Sequence, residues 1–94
     1  EELLQEVIEL FLEDMPKQVS LLQQHLDAGN VEEMGRTAHG VKGAAANIGA
    51  ERVREAALLI EEAGKVGDLS LGVDLVAALR VDLEELAAQL RDGP

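Results

Sequence analysis

Apolar residues recur every three or four positions through almost the whole chain, and the runs are separated by short Gly, Asn and Pro punctuation. That period is the signature of helices with one buried face. The supply of core side chains narrows the answer further. Hydrophobic residues make up 47% of the 94 positions, yet Phe11 is the single aromatic. A core made of Leu, Ile, Val and Ala suits closely packed helices better than aromatic-rich strands. The length allows one domain with a modest core.

Read in order, the punctuation predicts five helical segments. The first spans about 2–14, with Leu3, Leu4, Val7, Leu10 and Phe11 as its inward stripe. Pro16 lacks an N–H and suits a first helical turn, so it predicts a new helix. That helix turns Val19, Leu22 and Leu26 inward and stops at Gly29-Asn30. The third, from Val31 to Ile48, carries Met34, Thr37, Ala38, Val41, Ala44, Ala45 and Ile48, and closes at Gly49. A fourth covers Ala50 to Ala63, followed by a break at Gly64-Lys-Val-Gly67 with Asp68 or Ser70 as the next N-cap. The last shows Leu75, Leu79, Leu83, Leu86 and Leu90 on one side. The expected fold is all-α: an up-down-up-down four-helix bundle over about 16–91, with a short additional N-terminal helix over 2–14, in a single domain covering 1–94.

Composition excludes several functions. A formal net charge of −11 opposes binding to nucleic acid. No apolar run reaches the length of a membrane span, so no membrane contact is expected of this domain. With no cysteine there are no disulfides, thiol nucleophiles or cysteine–zinc sites, which is compatible with a cytoplasmic setting. The chain opens at Glu1 without methionine and ends Arg-Asp-Gly-Pro, as a piece cut from a longer polypeptide would.

The third helix carries the chemistry. His39 falls opposite its apolar stripe, with Gly35 and Arg36 one turn back and Lys42 and Gly43 one turn on. Glycine inside a helix costs about 1 kcal/mol relative to alanine, and this helix holds Gly35, Gly40 and Gly43. Such a cost suggests that another surface comes close, as at a site accepting a phosphoryl group from a docked partner. A neutral imidazole is a competent nucleophile near neutral pH without an activating base.

His39-x-x-Lys42-Gly43, then Ala44 and Ala45, with Gly49 ten positions after the histidine, resembles the signature of histidine-containing phosphotransfer (HPt) domains. The likeness covers almost the whole chain: Phe11-Leu-Glu-Asp-Met-Pro16 is similar to the family's first-to-second helix junction, and Leu26-Asp-Ala-Gly-Asn30 to its turn before the active helix. The resemblance implies a monomeric phosphorelay module of a two-component system. His39 would take a phosphoryl group from the aspartate of a response-regulator receiver domain and pass it to another receiver. Lys42 would neutralise phosphoryl oxygens, and Gly43 and Gly35 would leave room for the receiver's loops. No cofactor is implied for this chain, Mg2+ coming from the receiver, and no metal site is expected. It also implies no kinase activity of the domain itself, and a place in the cytoplasmic part of a covalently linked, membrane-anchored hybrid sensor histidine kinase.

Other residues stay open between two readings. Arg36 either positions an acidic partner or pairs with an acid of its own helix. Lys65 falls where family members carry a basic residue near the histidine, and Glu61 where some relatives place a polar side chain near the imidazole. An acid there repels phosphate unless it orients the ring. Ile8, Leu12 and Met15 form a second apolar strip on the first helix, either buried on two sides or a docking strip for a receiver helix. His25, Asn47 and Gly49 read as structural. Rival functions are a receiver-binding adaptor that is never phosphorylated and the phosphoacceptor domain of a chemotaxis-type kinase. A metal-binding bundle is remote, because His25 and His39 lie on separate helices without a ligand set.

Overall fold

The computed structural model describes residues 2–92; Glu1, Gly93 and Pro94 lie outside the described residues. Four helices follow one another: α1 Glu2–Asp27, α2 Val31–Asn47, α3 Glu51–Val66 and α4 Leu69–Asp92. Each packs against the next, and α4 returns to α1, closing a ring of four around one core. Leu22, Met34, Val41, Val53, Ile60, Val76 and Leu79 fill its centre. No polar or charged side chain is buried among the described residues.

The break anticipated at Pro16 is absent, and there is no separate N-terminal helix: α1 is continuous across it. A proline inside a helix costs about 3 kcal/mol, because its N–H is missing and its ring crowds the carbonyl four residues back. Here Phe11, Met15, Val19, Leu22 and Leu26 are all buried, at helical spacing on both sides of the proline. Each such side chain contributes about 1.5–3 kcal/mol on burial, so continuing the helix outweighs breaking it. Pro16 itself is exposed.

The inward face of α1 also differs from expectation. Leu3 and Leu10 are each 66% exposed, and Leu4 and Val7 are exposed as well, leaving Phe11 as the one buried member of the anticipated stripe. The second strip, Ile8, Leu12 and Met15, is the inner one. Met15 is a core residue at 3% exposure, and Leu12 packs against the core. Ile8 is half-buried. The cause is length. α1 has 26 residues and α2 only 17, about 39 Å against about 26 Å. The first turns of α1 find little to cover them, in a molecule 41 Å long and 19 Å across.

The joints follow the cap chemistry. Asn30 Oδ1 accepts from the Glu33 amide at 3.4 Å to start α2, and Asp68 Oδ1 accepts from the Leu71 amide at 2.9 Å to start α4. Of the two caps weighed for α4, Asp68 is the one used, and Ser70 lies inside the helix. α3 does not stop at Ala63 but runs on through Gly64 to Val66, ending at Gly67 with φ +73°. That left-handed conformation is cheap only for glycine. Gly49, at φ +70°, closes the α2–α3 joint in the same way.

Candidate functional site

Gly64 stays helical because it is a contact, not a stop. A Cβ on Gly64 would lie 2.7 Å from Gly35 Cα, and one on Gly35 would lie 3.2 Å from Gly64 Cα. Gly64 has no room for a side chain and Gly35 only a tight fit for one, so α2 and α3 approach backbone to backbone at this level. Gly35 is therefore buried against α3 instead of opening space for a partner, which corrects the expectation from its helical spacing. Gly40 and Gly43 differ: nothing lies within 4 Å of a Cβ built on either. They form the open part of α2.

The close approach sets up a three-residue contact one turn along. His39 Nδ1 is 2.8 Å from Glu61 Oε2, and Lys42 Nζ donates to Glu61 Oε1 at 2.6 Å. The Glu61 side chain is only 12% exposed, whereas that of His39 is 67% exposed. The Lys42 ammonium donating to Glu61 is the main reason that this carboxyl is held below the usual glutamate range. Partial burial opposes the shift, and the bond to His39 adds to it. Glu61 is thus an anion at neutral pH and purely an acceptor. It accepts a hydrogen bond from Nδ1–H, and in the neutral imidazole the lone pair then resides on Nε2. The ring offers one nucleophilic nitrogen on an exposed face.

Around it lies a shallow recess of about 380 Å³, lined by Glu32, Gly35, Arg36, His39, Glu61, Gly64 and Lys65. Arg36 donates to Glu33 Oε1 at 2.6 Å and lies 4.0 Å from Glu32, so it pairs with acids of its own helix. Lys65 shares the recess with His39 but sits 3.8 Å from Glu62, itself mostly exposed. His25 Nε2 lies 3.2 Å from Thr37 Oγ1 across the α1–α2 contact, partly buried and apart from His39. Met15 is a core residue on the α1–α4 side and does not line the recess around His39. On the far side of α2 the exposed Val7 and Leu10 border a second groove with Ala44, Asn47 and Ile48.

Glu61 is the residue that sequence reading left undecided. The available signal was a pair of glycines, Gly35 and Gly64, on consecutive helices. Once they touch, an acid at Glu61 is brought onto both His39 and Lys42. Among the described residues no three His, Asp or Glu side chains gather as a metal site. No helix of the described residues is long and apolar enough to cross a membrane.

The Hpt domain family matches residues 6–91, and the chain belongs to that family. This makes it a phosphotransfer module of two-component signalling. No curated protein and no solved structure gives a significant match.

Proposed function

We propose that His39 is the phosphoryl acceptor of a phosphorelay, charged by an aspartyl phosphate of one receiver domain and discharged to the aspartate of another. The observation that carries this reading is the Nδ1 contact with Glu61, which directs the free lone pair to an exposed Nε2. In the forward step Nε2 attacks phosphorus, the aspartyl O–P bond breaks, and the receiver recovers its carboxylate. The product ring carries phosphorus on Nε2 and a proton on Nδ1, a cation that the Glu61 carboxylate neutralises in place. Transfer to the next receiver reverses these bonds. Lys42 has three N–H donors and gives one to Glu61, which leaves others for equatorial phosphoryl oxygens.

A receiver approaches across Gly40 and Gly43, the open stretch of α2, and the exposed Val7 and Leu10 supply apolar contact at its edge. Joints of two or three residues support an up-down-up-down course of the helices. Mg2+ comes from the receiver, the domain has no kinase activity of its own, and its setting is the cytoplasmic part of a hybrid sensor kinase.

The test is incubation with phosphorylated receivers, following acid-labile label. His39→Gln should keep the helicity and lose all labelling, while His25→Gln should label normally. Label persisting in the His39 variant overturns the assignment.

A further inference from the structure

A groove between α1 and α4 lies away from the phosphotransfer face. Its volume is about 480 Å³, and Leu12, Met15, Val19, Leu83 and Ala87 give it an apolar lining. Three features make it more than a packing gap. Arg80 and Arg91 stand on its α4 wall, eleven residues or about 16 Å apart along one helical stripe. Like Lys17, neither pairs with a described carboxylate, whereas Arg36, Lys42, Arg52, Arg54 and Lys65 do. Between them Ala87 and Ala88 leave a low wall against which a backbone could lie. On the α1 wall, Pro16 supplies no N–H to the Leu12 carbonyl, so an acceptor without its helical partner lies along the groove.

From these features we infer that the groove is a docking site for an amphipathic helix of a partner protein. That helix would have an aliphatic face and acidic residues about three turns apart. Charge complementarity selects this occupant. In a chain of net charge −11, two unpaired arginines bracket an apolar floor. Glu84 stands between them on the same wall, so the partner's acids belong at the two ends and not at the middle. A second copy of this chain brings the same large negative charge to the encounter and is the weaker occupant. Because His39 faces α3 while this groove is bounded by α1 and α4, such a partner and a receiver can be held together. The inference does not depend on His39 being phosphorylated.

The test uses two synthetic helical peptides with identical leucine faces, one carrying Glu at both ends and the other Lys. Binding to the whole domain is followed by amide chemical shifts and fluorescence anisotropy. The Glu peptide should bind and shift Val19, Ser20, Leu83 and Ala87 while leaving His39 unmoved. The double variant Arg80→Glu/Arg91→Glu, both sites exposed, should weaken it by roughly tenfold, as two surface ion pairs allow, and should improve binding of the Lys peptide. Ala88→Trp should block the Glu peptide without loss of helicity. Equal binding of both peptides, binding of neither, or shifts confined to Val7, Leu10 and Ile48 would overturn the proposal. So would sedimentation showing that the domain alone dimerises and that the double variant does not.

Discussion

The α2–α3 seam and the α1–α4 seam are built from similar helices and end in opposite states. In the first, Gly35 and Gly64 remove every side-chain atom from the contact, and the backbones meet. In the second, Leu12, Met15, Val19 and Leu83 hold the helices apart and a groove remains. Chemistry follows separation. At the close seam a carboxylate on one helix touches two side chains of the next at 2.6 and 2.8 Å. The wide seam keeps a groove over its floor, and its arginines pair with no carboxylate among the described residues.

The largest effect expected from this contrast is at Gly64. Gly64→Val puts atoms into the Gly35 backbone, and overpacking of that kind costs about 1–3 kcal/mol or more. Chemical denaturation should show the loss, and the His39–Glu61 contact should vanish from the ring's nitrogen shifts. Ala88→Val, on the wide seam, should change stability by no more than about 0.5 kcal/mol. Equal losses at the two positions would erase the distinction.

Lys42→Ala comes next. A charge contact to a phosphoryl oxygen is worth about 1.5–3 kcal/mol, so transfer should slow by roughly one to two decades with the fold retained. Unchanged kinetics at moderate salt would make Lys42 a bystander.

Acidification probes the same seam more gently. The Glu61 carboxyl sits below its ordinary value because Lys42, and after it His39, favour the ionised form. Its contribution to stability is therefore complete above the unfolded-chain glutamate value and is lost as pH falls through the lowered one. Carbon-13 titration should place the Glu61 midpoint below the ordinary glutamate value, and Lys42→Met should move it upward. A titration at or above the ordinary value would sharpen the comparison in the other direction, giving burial the larger part.

The smallest expected change in stability is at Gly43. Gly43→Gln should leave the melting temperature equal or slightly raised, since a better helix former replaces glycine in open space. Receiver-dependent labelling should nevertheless fall sharply, while phosphoramidate, a much smaller donor, should be less affected. A marked loss of stability would place Gly43 with Gly35 and Gly64 as a packing residue.

The inward face of α2 was legible in its sequence because Met34, Ala38, Val41 and Ala45 form one stripe with charged or small residues opposite. α1 was not, because it carries two apolar stripes and the choice between them depends on the lengths of its neighbours. Pro16 misled for a related reason: its local cost is real, but burial of residues on both sides outweighs it. At the site, His39 and Lys42 announced themselves by spacing along one helix. Glu61 lies 22 positions from His39, and only the Gly35–Gly64 contact relates the two. Local periodicity reports a helix's own faces, whereas a contact between helices depends on the volume of residues that meet from distant parts of the chain.

The overhang of α1 has a consequence in amide exchange. Residues 2–10 are exposed apart from the half-buried Ile8, so their helical hydrogen bonds should open by fraying, without unfolding of the bundle. From Phe11 onward the same helix is anchored in the core, and its inner amides should exchange only with global opening. One continuous helix should therefore show two protection regimes, with the boundary about one turn before Pro16.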